Sequence, residues 1–135
     1  ANPRNYSRAI VEFLQMNEHD NEVHERWGNT DAYKQSQSKS SKYSKEDFQG
    51  AKVDQEAATE LFVYAFGNSL PFDSDKTKAA VLAHREAITK WFYDCSIEMQ
   101  KNLAVMYVED PRFKEYYDGR VRGLAQYVHD AIQAQ

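Results

Sequence analysis

Cysteine, glycine and proline are scarce in this chain, which has one, five and three of them among its 135 residues. A lone cysteine cannot form an internal disulfide, which is typical of a reducing compartment and leaves a thiol free for chemistry. The glycines and prolines lie mostly between stretches of periodic hydrophobicity, and their scarcity favours long helices over many short strands. The sequence therefore predicts an all-α fold, and its length is that of one domain with one core.

Long apolar runs and concentrated charge of one sign are absent as well. No stretch of about 18 apolar residues occurs, and the N-terminus lacks the basic start and apolar segment of a signal peptide. We therefore expect a cytoplasmic protein without membrane attachment. Acidic and basic residues are mixed along the chain, which has a net charge of -4 and a pI near 5.6. This domain by itself is not expected to bind DNA, because it offers no positive field to the phosphate backbone.

The motifs that cradle phosphates or hold catalytic zinc are also missing, since there is no GxGxxG, no Walker-type loop and no HExxH. The nearest candidate metal ligands are His19, Asp20, Glu22 and His24. They lie on a polar segment without sulfur ligands, where such residues are ordinary composition. The sequence therefore predicts neither a metal nor a cofactor.

Hydrophobic periodicity divides the chain into an arm, residues 1–43, and a helical core, residues 44–135. Five core helices are predicted, beginning at Ser44, at Asp73 or Ser74, at Ser96, at Pro111 and before Leu124. The apolar residues of the first of them are Val53, Ala57, Leu61 and Tyr64. The arm contains a short predicted helix from Pro3 to Met16. Its end, from Gln35 to Lys45, is nearly all polar, and we expect it to be mobile because it has little apolar area to bury.

Two aromatic residues of the arm, Trp27 and Tyr33, flank a predicted turn at Gly28. Their segment is too short to build a core of its own. They therefore need an apolar surface, which is either the helical body or a bulky organic ligand in a cleft that the arm closes. The sequence leaves both alternatives open.

The thiol of Cys95 immediately precedes Ser96, the predicted start of a helix. A helix N-terminus favours negative charge and would lower the pKa of the thiol, although the adjacent Asp94 opposes a thiolate. Free cysteine is also one of the most often buried residues, so inert packing is the commoner outcome for such a position. His84 is a poor candidate for its base, because the helical distance along the chain is roughly 16 Å.

Several runs together carry a resemblance to one family. They read EVHERWGNTDAY at 22–33, HRE at 84–86, WFYDCSIEM at 91–99, YVEDPRF at 107–113 and GLAQYV at 123–128. These runs resemble the TipAS antibiotic-recognition domain, the effector-binding part of MerR-type transcription activators. The match spans residues 22–134 in the same order, and each motif contains several rare residues.

The resemblance implies a globin-like helical fold without haem, with a cleft that captures thiopeptide antibiotics such as thiostrepton and an arm that orders when ligand binds. It also implies that the cysteine of the WFYxCS motif, here Cys95, adds to a dehydroalanine of the ligand. DNA would be bound only through a separate N-terminal domain absent from this chain, in a regulator that is a homodimer. The chain would then be either an excised domain or a short form that sequesters the drug.

We therefore expect an antibiotic-sensing domain and no enzyme. The residues expected to line the ligand site are Trp27, Tyr33, His84, Trp91, Phe92, Cys95 and Tyr107. One alternative is an enzyme with Cys95 as its nucleophile, for which the sequence supplies no base. The other is a helical protein-interaction module whose arm packs permanently and which has no small-molecule site.

Overall fold

The computed structural model of this chain describes residues 31–135, and no strand occurs in that range. The helices are α1 (Asp31–Ser40), α2 (Lys45–Gly67), α3 (Asp75–Trp91), α4 (Ile97–Glu109), α5 (Pro111–Asp118) and α6 (Leu124–Gln133). None of these helices is long and apolar enough to cross a membrane. The expected helix at Pro3–Met16, the turn at Gly28 and the candidate ligands from His19 to His24 lie outside the described residues.

Side chains that accept hydrogen bonds from the first turn mark the helix starts. Ser44 caps α2, where its hydroxyl accepts a bond from the Asp47 amide and the Asp47 carboxylate accepts one from the Ser44 amide. Ser74 and Ser96 cap α3 and α4, and Asp110 caps α5. Each cap satisfies amide groups that a helix start leaves unpaired. The predicted starts of these helices are therefore confirmed.

The core lies where α2 packs on α3 and where α4 packs on α6. Its most deeply buried large side chains are Phe62, Leu103, Tyr117, Leu124, Val128 and Ile132. Burial of an aliphatic or aromatic side chain contributes about 1.5–3 kcal/mol, so these residues supply much of the driving force for folding. In α3 and α6 the residues that face this core include Ala80, Val81, Ile88, Leu124 and Ile132.

The apolar face predicted for α2 is the wrong one. Val53 is 65% exposed and Tyr64 is 54% exposed, whereas the buried face consists of Ala51, Ala58, Thr59, Phe62 and Ala65. Small side chains on that face let α2 approach α3 closely, and Phe62 fills the space that remains. The face of α2 that packs on α3 is therefore the one with small side chains, and the larger side chains lie on the opposite face.

In the structure, residues 35–40 at the end of the arm belong to helix α1. This helix has little apolar surface. Lys39 Nζ donates to the Thr89 carbonyl of α3 at 3.1 Å, and Gln35 Oε1 accepts a bond from the amide of Asp94, which follows α3, at 2.8 Å. Both partners come from a distant part of the chain, so the local composition does not indicate them.

Gly123, the residue before α6, has a φ of +92°, a left-handed conformation that side chains other than glycine rarely adopt. An added Cβ would also lie 3.2 Å from Phe66 Cζ. Glycine at this position therefore both permits the turn into α6 and leaves room for a ring of α2.

Candidate functional site

The WFYDCS run forms the connection between α3 and α4. Trp91 ends α3, Phe92 is its C-cap, and Ser96 is the N-cap of α4. The side chains of Phe92, Tyr93 and Cys95 are all buried. The run therefore directs two rings and its thiol into the protein, while the two flanking helices fix the backbone at both ends.

Cys95 is held through both its backbone and its sulfur. Its amide donates to Thr89 Oγ1 at 3.0 Å, and its thiol lies 3.6 Å from the Ser96 carbonyl oxygen, to which it donates. Burial raises the pKa of this thiol to about 12, while the charge of Arg85 acts in the opposite direction. The expected lowering of the thiol pKa by the helix start is therefore wrong for this conformation, because burial outweighs it.

His84 does not face Cys95 as a base. Both of its ring nitrogens are engaged, since Nδ1 lies 2.8 Å from Gln100 Nε2 and Nε2 lies 2.8 Å from the Tyr107 hydroxyl. Within residues 31–135, the hydrogen-bonding partner of the Cys95 thiol is the Ser96 carbonyl. The arrangement therefore contains no thiol–imidazole pair of the kind that activates a cysteine nucleophile.

Gln100 fixes the protonation of His84. Its amide nitrogen also donates to the Val81 carbonyl at 2.9 Å, so the other hydrogen of the same group points at His84 Nδ1. His84 Nε2 then carries the proton and donates to Tyr107. Burial, together with the charge of Arg85, lowers the pKa of His84 to about 4, so the imidazole is neutral near neutral pH.

His84, Phe92 and Tyr107 line one small internal cavity between α2, α3 and α4. Its volume is about 20 Å³. A single water molecule occupies a cavity of about this size. The structure brings these three residues together, and the space between them is too small to admit a bulky ligand without a rearrangement.

Trp91 lies at the surface end of the same region. Its indole Nε1 donates to Asp54 Oδ2 at 2.7 Å, and its ring stands edge-on to Tyr43 with 5.7 Å between centroids. Gly50 of α2 lies beneath this ring, where a Cβ would come within 2.9 Å of Trp91 Cη2. Glycine at position 50 therefore lets α2 approach the tryptophan closely.

The segment from α1 to Tyr43 covers this surface end. The Tyr43 hydroxyl donates to the Trp91 carbonyl, and Lys39 donates to the Thr89 carbonyl. The last carbonyls of a helix have no partner within it, so these two side chains cap the end of α3. Together with the bond from Asp94 to Gln35, they place the end of the arm directly over the WFYDCS run.

The seven predicted site residues thus fall into several groups. His84, Phe92 and Tyr107 meet at the cavity, Trp91 and Cys95 lie at either end of the connection, and the backbone of Tyr33 belongs to α1. Trp27 lies outside the described residues. Gln100 was missed, although a polar residue among the apolar positions of α4 could have indicated it. Tyr93 was also missed; its buried hydroxyl has no hydrogen-bond partner among the described residues.

These features define an all-helical domain with a small cavity between its helices and a buried cysteine that has no histidine partner. The family model of the TipAS antibiotic-recognition domain matches residues 19–135. The chain belongs to this family, and the resemblance inferred from the sequence is confirmed.

Curated relatives and a solved structure agree with this assignment. The HTH-type transcriptional activator TipA of Streptomyces coelicolor is 43% identical over 117 residues, which cover 87% of this chain and 46% of the relative. The TipA of Streptomyces lividans gives the same values. The HTH-type transcriptional activator mta of Bacillus subtilis is 33% identical over 60 residues, 44% of this chain and 23% of the relative. This chain thus spans less than half the length of the curated relatives it matches.

The solved structure is that of nosiheptide in complex with TipAS from Streptomyces lividans. It is 42% identical to this chain, has a TM-score of 0.76, and covers 88% of this chain and 83% of its own. At this level of likeness the two share a fold. The prediction of an all-helical fold is therefore confirmed, and the globin-like arrangement is consistent with this neighbour.

Proposed function

We propose that this chain is the effector-sensing domain of a MerR-type transcription regulator and that it binds thiopeptide-like antibiotics. The observation that carries this proposal is the shared fold, at 42% identity, with a TipAS domain in complex with nosiheptide. The curated relatives are transcriptional activators, which agrees with a sensing role and not with turnover of a substrate. The DNA-binding part and the homodimer contact would belong to other regions of the regulator, acting in the cytoplasm.

The ligand would bind beneath the end of the arm. The cavity at His84, Phe92 and Tyr107 holds only about 20 Å³, so a thiopeptide requires a larger opening. Two hydrogen bonds, one from Lys39 and one to Gln35, hold α1 over the WFYDCS run, and a bond of this type contributes about 1 kcal/mol. The end of the arm would therefore move at a modest cost. Trp27 and Tyr33 would come with it and form the outer wall of the opened site.

Movement of the arm would also change the pKa of the Cys95 thiol. A thiol with a pKa of about 12 has roughly a thousandfold less thiolate at neutral pH than one at the ordinary value of 9.0. Exposing Cys95 to water would remove the burial that causes this shift, while the charge of Arg85 would still favour the thiolate. Burial would thus keep the thiol mostly protonated until a ligand opens the site.

The capture step would be a conjugate addition. The Cys95 thiolate forms a bond to the β-carbon of a dehydroalanine, the alkene electrons move to the α-carbon, and that carbon takes a proton from water. No group leaves, so the adduct gains the whole ligand mass. The reaction needs an oriented acceptor but no separate base, which agrees with the lack of an imidazole at Cys95.

Titration with nosiheptide tests the binding proposal. The tryptophan fluorescence of the chain and the heat of binding should both saturate at one ligand per chain. The Tyr43→Phe variant should bind more tightly by about fivefold, because the bond from Tyr43 to the Trp91 carbonyl no longer opposes opening. Tyr64→Phe is the matched control, since Tyr64 is 54% exposed on the outer face of α2.

Two results would contradict the proposal. If no saturable signal appears up to the solubility limit of nosiheptide, the chain does not bind this antibiotic. Binding of normal affinity in wild type together with weaker binding in Tyr43→Phe would show that the closed arm is not what the ligand has to open.

A further inference from the structure

A second cleft lies on a different face of α3 from the site described above. It has a volume of about 540 Å³ and runs between α3, the turn that precedes α3, and the end of α6. It shares no lining residue with the small cavity at His84. A volume of this size is within the range of pockets that hold small organic molecules.

The floor of this cleft is apolar. It is built from Phe72, Val81, Leu82, Ala131 and Ala134. Phe72 and Leu82 are 38% and 44% exposed. An occupant with a hydrocarbon or aromatic body would remove these two side chains from water.

The charge at the cleft comes mainly from Arg85. One nitrogen of its guanidinium donates to Gln135 Oε1 at 2.8 Å and lies 3.4 Å from Gln100 Oε1. Both acceptors are neutral amides, and in the part of the chain that the structure describes no carboxylate lies within 4.0 Å of Arg85. Arginine usually neutralises its charge with a planar anion held by two parallel bonds. Among residues 31–135, Arg85 has no such partner.

The remaining charged groups at the cleft favour an anion. Lys78 adds a second positive charge, and Asp73, exposed at the rim, is the one acidic residue among those that line the cleft. We propose that this cleft is a second ligand site, which takes small amphipathic carboxylates, with the carboxylate on Arg85 and the apolar body on Leu82 and Val81. This inference does not depend on thiopeptide binding at Cys95.

The test uses three probes with the same apolar body: 4-phenylbutyrate, its neutral amide 4-phenylbutanamide, and the cation 4-phenylbutylamine. Each is titrated into the isotope-labelled chain while amide chemical shifts are followed. We expect 4-phenylbutyrate to move the amides of Val81, Leu82, Ala131 and Ala134 and to bind at least about tenfold more tightly than the other two probes, as a charge-assisted bond to arginine requires.

Two pairs of variants separate the cleft from general surface charge. Arg85→Met should abolish the preference for the carboxylate, whereas Arg122→Met, which removes an exposed arginine outside the cleft, should retain it. Leu82→Glu should weaken binding of 4-phenylbutyrate by at least about tenfold, because it places a carboxylate in the cleft. Val53→Glu, at a position that is 65% exposed on α2, should not.

The proposal is overturned if 4-phenylbutyrate and 4-phenylbutanamide bind equally well, if the shifts appear away from the cleft, or if no probe binds at millimolar concentration. Equal effects of Leu82→Glu and Val53→Glu would overturn it too. Because both of these replace exposed side chains, this second comparison stands even if Arg85→Met fails to fold.

Discussion

Acidification should destabilise this domain through one histidine. The imidazole of His84 is buried, and burial together with the charge of Arg85 lowers its pKa from 6.5 to about 4. The unfolded chain therefore binds a proton at His84 more readily than the folded chain. Stability contributed by the neutral imidazole is complete above pH 6.5, and it is lost as the pH falls through the interval down to about 4.

The size of this effect follows from the gap between the two pKa values. One pKa unit corresponds to about 1.4 kcal/mol, so protonation of His84 should reduce the free energy of unfolding by about 2 kcal/mol between pH 7 and pH 5. For a domain of this size, that is a substantial fraction of a typical total of about 5–15 kcal/mol.

Urea denaturation at a series of pH values measures this loss. Other groups titrate as well, so the His84 contribution is the difference between wild type and His84→Gln, which should show a drop about 2 kcal/mol smaller from pH 7 to pH 5. His129→Gln is the matched control, because His129 lies near the surface and bonds to Asp130, and it should keep the drop assigned to His84.

A direct titration of the His84 ring by NMR does not depend on how stable the variant is. The account is refuted if that ring titrates near 6.5 in the folded protein. It is refuted equally if His84→Gln and wild type lose the same free energy between pH 7 and pH 5.

Three further predictions concern the fold and the arm. Gly123→Ala should lower the free energy of unfolding by about 1–2 kcal/mol in urea denaturation, because position 123 has a positive φ and lies near the Phe66 ring. Gly67→Ala, where a Cβ meets open space, should be neutral or slightly stabilising, and equal effects of the two variants would contradict the strain assigned to Gly123. Ser44→Ala should cost about 1 kcal/mol by removing the cap of α2, and a melting temperature unchanged within error would contradict it. In hydrogen exchange, Tyr43→Phe should raise the exchange of residues 31–43 and leave α6 unchanged, since Tyr43 donates to the Trp91 carbonyl; uniform change would show a global effect instead.

The same exchange experiment separates the sensor from the interaction module. A module predicts full protection of residues 31–43 without ligand, because its arm packs permanently. A sensor predicts partial protection that rises when nosiheptide binds. The hydrogen bonds of Lys39 and Gln35, which dock the end of α1, favour the second pattern.

The helix starts could be predicted from the sequence because capping is local. The hydroxyl of Ser44 and the carboxylate of Asp47 are only three residues apart, so both partners are visible in one short window. The same is true of Ser96, whose hydroxyl accepts a bond from the Met99 amide at 3.1 Å. Features that depend on residues a few positions apart leave a readable pattern.

The face that α2 buries could not be predicted in the same way. The helix has apolar residues on two sides, and periodicity alone cannot say which side meets α3. Val53 and Tyr64 are larger and were therefore predicted to be buried, but the close approach of α2 to α3 buries the alanines instead. Which face of a helix is buried depends on the helix it packs against, and the local sequence does not contain that information.

The candidate site also combines features that the local sequence indicates with features that it does not. Position alone suggested a cysteine at a helix start, and the structure confirms that placement. The raised pKa of Cys95 arises from burial, and burial is a property of the whole fold. Likewise, Tyr43 and the Trp91 carbonyl lie 48 residues apart in the sequence, so no local pattern could have indicated that the arm caps α3.

We propose that a thiopeptide opens the site and is captured by Cys95. The most direct test of this proposal is the intact mass of the chain after incubation with thiostrepton, for wild type and for Cys95→Ser. The account predicts that wild type gains the mass of one ligand while Cys95→Ser binds it without gaining mass. Wild type that binds thiostrepton but gains no mass, or a Cys95→Ser chain that gains the same mass, would contradict it.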